Sequence, residues 1–267
     1  MQSIPTDSGP IELCYSGGKD SDVILELAKM SGIEYRAIYK NSTIDPPGTI
    51  EHCREKGVEI LAPTVRFFDL VKKAGTPNRH RRFCCDHLKE YKVLDRAIQG
   101  IRREESRARA NRYKEPEQCR TYRKGGKCRV YLPILDWTDE DEVEFIAERG
   151  IKCHPRYYDE LGEFHVERRV GCLCCPLMSI NKRRAEFLKY PKILKLYIKN
   201  LQIFIDNNPL SKSAIFTRGS AYNCMFYELF ITKPGQYERV IDGGLFPESG
   251  LNTKAFLEDY FKIDLTL

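Results

Sequence analysis

What this chain lacks narrows it first. No apolar run approaches the roughly 18 residues that a membrane-spanning helix needs, and no internal repeat or low-complexity stretch is visible. The opening MQSIPTDSGP has neither a basic n-region nor an apolar h-region, so no signal peptide is expected and a cytoplasmic location is. A global charge bias is missing too: 44 Lys and Arg face 38 Asp and Glu, a formal +6. With 42% hydrophobic and 31% charged residues, wholesale disorder is excluded. The 267 residues suit one large domain, or one domain with a sizeable appendage.

Cysteine, by contrast, is abundant. There are eleven, an odd number, and in a reducing compartment such residues are more often buried, metal-binding or catalytic than disulfide-bonded. They cluster: Cys84 and Cys85 are adjacent, and Cys172, Cys174 and Cys175 crowd into four positions. Cys172-x-x-Cys175 is a bidentate metal unit, because the intervening turn directs both sulfurs to one point. Spacing alone leaves an iron–sulfur cluster, a Cys₄ zinc site and a metal-free redox pair open. Cys14 lies in an apolar strand and reads as core. Cys53, Cys119, Cys128, Cys153 and Cys224 have no companion spacing.

The positive charge is equally local. Residues 102–129 hold eleven Lys and Arg, among them Arg102, Arg103, Arg107, Arg109, Arg123 and Lys124, against four acids. That segment carries +7, so the remainder of the chain carries −1. A charge run usually marks a solvated face, yet arginine also grips phosphate bidentately. The outer part, Arg120 to Arg129 with Tyr122, reads equally as a surface for nucleic acid or an acidic partner.

Apolar periodicity predicts strands at Ile11–Tyr15, Tyr35–Tyr39 and Val58–Ala62, one within Val93–Ile101, and one at Val130–Leu135. Helices are expected at Val23–Met30, Thr49–Lys56 and Val65–Ala74. Another should start at Thr138, where a hydroxyl cap precedes Asp139, Glu140 and Asp141. This alternation predicts an α/β fold, a parallel sheet with helices on both faces. Beyond Ile151 the alternation fades; residues 181–207 have helical spacing broken at Pro191. The expected division is 1–150 and 151–267, the latter mainly helical.

Ser16-Gly17-Gly18-Lys19-Asp20-Ser21 falls between the first strand and first helix. Two glycines allow a tight turn and close approach to an anion; loop and helix N–H groups, two hydroxyls and an ammonium supply donors. It is not a Walker A loop, since the four-residue spacer before Gly-Lys is missing. After the second strand, Asn41, Ser42, Thr43 and Asp45 read equally as ribose or metal contacts and as a polar loop. His87 and His154 sit in no nucleophile–base pattern and read as structural.

SGGKDS resembles the signature of the PP-loop ATP pyrophosphatases. Arg82-Phe83-Cys84-Cys85-Asp86-His87-Leu88-Lys89 resembles the Cys-Cys-x-x-x-Lys element of the phosphoadenylylsulfate reductase branch. Gly100 to Arg109, Leu132-Pro133-Ile134-Leu135-Asp136-Trp137-Thr138, His154-Pro155-x-Tyr157 and Arg169-x-Gly171-Cys172-x-x-Cys175-Pro176 follow in that branch's order. Together they cover about residues 11–177; residues 178–267 carry no motif. The resemblance implies an adenine nucleotide alpha-hydrolase-like fold that binds ATP with Mg²⁺. It implies phosphate binding by Ser16, Gly17, Gly18, Lys19, Asp20, Ser21, Arg102 and Arg107, with Lys19, Asp20 and Arg102 catalytic. It also implies a [4Fe–4S] cluster on Cys84, Cys85, Cys172 and Cys175, with Lys89 as the nearby cation and zinc as the alternative.

Three functions are compatible with these residues. The first is an ATP pyrophosphatase for sulfur transfer, similar in motif style to a component of DNA phosphorothioation systems, with a sulfur-donor or DNA-modification protein as partner. The second is a sulfonucleotide reductase. The third is a non-catalytic nucleotide-binding module. The complete loop, and the lack of a Glu-Cys-Gly-type cysteine after Cys224, favour the first.

Overall fold

A computed structural model of the protein describes residues 9–91, 94–122, 126–233, 236–241 and 250–267. The opening residues 1–8, Val93, Arg123 and Lys124 lie outside the described residues. The chain divides into two compact units, residues 1–64 with 85–172 and residues 65–84 with 173–267. That division falls at 172/173 instead of near 150, and it moves a segment of the first half into the second unit.

The first unit is built on a six-stranded sheet in the order β3-β2-β1-β4-β6-β5. Its strands are β1 (Ile11–Tyr15), β2 (Tyr35–Lys40), β3 (Glu59–Leu61), β4 (Arg96–Ile98), β5 (Glu117–Tyr122) and β6 (Gly126–Tyr131). All neighbours are parallel except β5 and β6. β1 is central, Leu13 lying opposite Ala37 on one side and Ile98 on the other. Its side chains alternate between faces, as strand geometry requires. Ile11, Leu13 and Tyr15 join a core cluster with Val23, Ile24 and Ile146. Cys14 packs on a second cluster that includes Ala97, Val130, Leu132 and Leu135. Both faces of the sheet are therefore covered, which is why it can be parallel.

Helices α1 (Lys19–Ser31), α2 (Thr49–Glu55), α5 (Arg107–Arg112) and α6 (Asp139–Glu148) belong to this unit. α1 begins at Lys19, four residues before the apolar periodicity begins, because its first turn is polar yet buried. α6 starts where expected: Thr138 Oγ1 accepts from the Asp141 N–H at 3.1 Å, and Asp141 returns the bond to the Thr138 N–H at 2.8 Å. Two expectations fail. The strand placed at Val130–Leu135 is β6, shifted to Gly126–Tyr131, and the chain turns over Leu132–Leu135. Part of the arginine-rich segment forms the β5–β6 hairpin, with Cys119 opposite Arg129.

The second unit is helical among the described residues: α3 (Phe67–Ala74), α7 (Ile180–Lys189), α8 (Pro191–Asn207), α9 (Lys212–Phe216), α10 (Ala221–Phe230), α11 (Gln236–Ile241) and α12 (Thr253–Phe261). Pro191 separates α7 from α8 by taking the first helical position, where its missing N–H costs nothing. α3 joins this unit because its apolar face meets α8: the Phe67 and Tyr197 rings lie 5.8 Å apart. The short helix α4 (Phe83–Leu88) carries the boundary between units. No helix of the described residues is long and apolar enough to cross a membrane.

Candidate active site

In this strand order the chain leaves β1 toward β2 on one side, while β4 joins β1 on the other. Ligand crevices of open α/β sheets form outside the carboxyl ends of strands at such a switch point. Two segments occupy it, Ser16–Ser21 after β1 and Gln99–Glu105 after β4. They touch: a Cβ on Gly100 would come within 2.7 Å of the Asp20 carbonyl oxygen. Glycine is required there by close approach.

The loop is closed by its own side chains. Gly17 takes φ +78°, the left-handed region that favours glycine. The Ser16 hydroxyl donates to Ser21 Oγ at 3.3 Å, and Ser21 Oγ lies 2.6 Å from the Gly18 carbonyl. Gly18 caps α1 without a side chain, so the positive end of a 13-residue helix faces the loop. The Lys19 N–H donates to the Tyr157 oxygen at 3.1 Å. The Val170 N–H bonds the same oxygen. One tyrosine thus ties the loop to the segment before Cys172. In a Tyr157→Phe protein the buried Lys19 N–H loses its acceptor and so does the Val170 N–H, an expected loss of about 1–3 kcal/mol in denaturant unfolding.

The charged groups form one ladder around the buried Lys19, Arg102 and Glu142. Lys19 Nζ lies 2.5 Å from Glu142 Oε2 and 3.4 Å from Asp20 Oδ2. Arg102 reaches Asp20 at 2.9 Å, Asp139 at 2.6 Å, Glu142 at 2.9 Å and Glu104 at 3.4 Å. It also donates to the Trp137 carbonyl at 3.3 Å. Arg102 is only 1% exposed. Expected on sequence to meet phosphate, it sits among four carboxylates and braces the starts of α1 and α6. Burial pushes the Glu142 carboxyl up to about 7, with Asp20 adding to the rise and Lys19 and Arg102 opposing it. Burial and then Asp20 also raise Glu105, which Arg109 and Arg169 pair. Arg107 is exposed in the first turn of α5.

Beneath the loop lies a second polar network. The Tyr15 hydroxyl donates to Asp22, and His52 Nε2 sits 3.0 Å from both Asp22 oxygens. His154 Nδ1 accepts from the Arg156 N–H at 3.1 Å, which leaves the proton on Nε2, 3.2 Å from Thr49 Oγ1. Burial, followed by His52, drives His154 down to about 4, so it is neutral. It holds the start of α2. Asn41, Ser42 and Asp45 bond backbone N–H groups of their own loop, and Asp45 additionally takes the Tyr39 hydroxyl at 2.5 Å.

The four predicted cluster cysteines are divided between the units: Cys85 and Cys172 belong to the first, Cys84 and Cys175 to the second. None of the four forms a disulfide. Burial raises the Cys172 thiol to about 11, although Lys89 pulls the other way. Burial works against the charge on Lys89, but Cys172 and Asp45 hold it above its ordinary value; Asp45 lies 3.3 Å from it. The Cys172 thiol thus faces the half-buried Lys89 ammonium, with Ser42 Oγ at 3.6 Å, and a neighbouring cation favours a thiolate.

The structure thus gathers Ser16, Gly17, Gly18, Lys19, Asp20, Ser21 and Arg102 at one place. Sequence reasoning missed Glu142, Asp139 and Asp22, and it gave Tyr157 no role. The acids of α6 were legible only as helix-start residues, and nothing local shows that two of them reach Arg102.

The phosphoadenosine phosphosulfate reductase domain family matches residues 10–178. An uncharacterized 37.8 kDa protein in the gpa 5′ region of Escherichia phage 186 is 33% identical over 156 residues, spanning 51% of this chain and 43% of that one. The chain therefore covers less than half the length of that relative. Among solved structures, phosphoadenylyl-sulfate reductase from Candida auris in a phosphate complex gives a TM-score of 0.44 at 14% identity, over 64% of this chain and 82% of that one. The FMN adenylyltransferase of Candida glabrata gives 0.38 at 16% identity, over 57% and 52%. The family match runs from β1 through the phosphate loop to the second cysteine motif, more than half of the sequence, and the chain belongs to the phosphoadenosine phosphosulfate reductase domain family.

Proposed function

We propose that this protein is a PP-loop ATP pyrophosphatase that adenylates an acceptor in sulfur transfer, releasing pyrophosphate. The observation that carries this reading is the complete Ser16–Ser21 loop, with a lysine and two hydroxyls at the N-terminus of α1. A nucleophile attacks the α-phosphorus of ATP, the bond to the β-bridging oxygen breaks, and pyrophosphate leaves with the electron pair. Lys19 and the loop N–H groups meet the charge that develops on it. Mg²⁺ arrives with the nucleotide as part of the substrate. Asp20, held by Arg102, orients the lysine; Arg107, exposed on α5, is the arginine available for phosphate. With water as acceptor the products are AMP and pyrophosphate.

Cys84, Cys85, Cys172 and Cys175 are the residues that would hold a [4Fe–4S] cluster, which supplies one-electron redox capacity when bound. Lys89 offsets the negative charge that Cys172 brings. Cys224 is buried in α10, which does not suit an attacking thiol. Lys127 and Arg129, exposed on β6, are the residues of the hairpin suited to a nucleic-acid partner.

The protein is purified anaerobically and incubated with ATP and Mg²⁺. The expected result is AMP with pyrophosphate, from a brown protein containing iron and acid-labile sulfide. ADP with phosphate overturns the activity. A colourless protein with stoichiometric zinc overturns the cluster alone. Sulfite release from an adenylylsulfate and a thiol supports the reductase reading instead.

A further inference from the structure

The phosphate-loop lysine is buried, and its ammonium is already occupied. Lys19 Nζ lies 2.5 Å from Glu142 Oε2, and that same oxygen takes Arg102 at 2.9 Å. Glu142 is fully buried, yet its other oxygen, Oε1, has no hydrogen-bond partner among the described residues. A carboxylate retained for packing alone would have both oxygens satisfied at this depth. Its desolvation is costly, and its principal partner is the cation that a bound polyphosphate also needs.

We propose that Glu142 is the resident anion of the phosphate loop, holding the Lys19 ammonium until the β,γ-phosphates of a nucleotide displace it. This rests on the ATP-binding reading and deepens it. Two anions compete for one ammonium, so every nucleotide that binds must first break the Lys19–Glu142 pair. Arg102 makes the exchange feasible, because it stays on Glu142 Oε2 when Lys19 leaves. Asp20, Glu104 and Asp139 share that guanidinium, so the released carboxylate remains within a neutralising cluster. Glu142 is a positioning residue: it acts through Lys19 and touches no reacting atom.

Glu142→Gln preserves shape and keeps an oxygen toward Lys19 while removing the charge. The probes are inorganic pyrophosphate and ATP, titrated by calorimetry at pH 8, where Glu142 is mostly ionised, into wild type and variant. The variant should bind both at least about tenfold more tightly, since one unit charge beside a buried cation exceeds that factor at an effective dielectric near 20. Damage to the fold weakens binding, so a gain is a signature that a merely structural role does not produce. Glu142→Asp keeps the charge but withdraws it, and its gain should be smaller. If the glutamine variant does not fold, the aspartate variant decides: tighter binding supports the proposal and unchanged binding overturns it. Equal or weaker affinity in a folded glutamine variant, with wild type binding pyrophosphate, overturns the role of Glu142. It leaves the ATP reading standing, because the nucleotide products are measured separately. Wild type that binds neither probe removes both.

Discussion

Lys19→Met lowers the rate of AMP release about 10²- to 10³-fold, the loss that follows removal of one preorganised donor from a developing negative charge. The same change has a second, pH-dependent consequence. Glu142 loses the partner at 2.5 Å and keeps only Arg102. In the wild type its carboxyl already stands at about 7, above the ordinary carboxylate value, through burial and then Asp20. Without Lys19 it rises further. A carboxyl whose folded value is raised favours the folded state while protonated and disfavours it as pH climbs past the unfolded value. The stability deficit of Lys19→Met should therefore be small at pH 6 and larger at pH 8. Its growth from pH 6 to pH 8 should reach at most about 1.4 kcal/mol, since about one pH unit of that window lies above the wild-type value of Glu142. Urea unfolding of both proteins at the two pH values measures it; an equal deficit at both would show that Lys19 does not hold Glu142's charge.

The phosphate loop was legible because its chemistry is contiguous: a strand, two glycines and a lysine in six residues demand one turn. The start of α1 was not, since Lys19, Ser21 and Asp22 are polar residues in buried positions, the reverse of what periodicity detects. Functional demand breaks the amphipathic pattern just where the site begins. The β5–β6 hairpin was hidden for a related reason. Its inward positions include Arg120, which bonds Gln99 at 2.8 Å and lies over the Tyr113 ring at 4.9 Å; a strand that turns an arginine inward reads as solvated. β6 was placed four residues late because the apolar run Val130–Leu135 spans the end of a strand and the turn after it. α3 reads as a sheet-covering helix in sequence, and only the packing of Phe67 on Tyr197 assigns it to the helical unit. The ladder of Lys19, Glu142 and Arg102 joins residues more than 30 positions apart in sequence, and no spacing rule connects them.

Arg102→Ala should be the most destabilising single change in the sheet-bearing unit, costing about 3–5 kcal/mol as expected for an uncompensated buried ion pair. One guanidinium serves Asp20, Glu104, Asp139 and Glu142, so its removal leaves four converging carboxylates, of which Glu142 is fully buried. Their mutual repulsion then acts through both helix starts, because Asp20 belongs to α1 and Asp139 and Glu142 to α6. Arg102→Lys should recover less than half of the loss. A single ammonium cannot span Asp20, Asp139 and the Trp137 carbonyl with fork geometry. The deficit should shrink from pH 8 to pH 5, as carboxyls whose folded values are raised take up protons and shed the repulsion. Denaturant unfolding of the alanine and lysine variants at both pH values separates this account from simple loss of packing volume. A packing defect would be the same at either pH and would be largely repaired by lysine. A charge defect is relieved by acid and not by lysine, and only the charge defect explains why the sequence buries an arginine behind its phosphate loop.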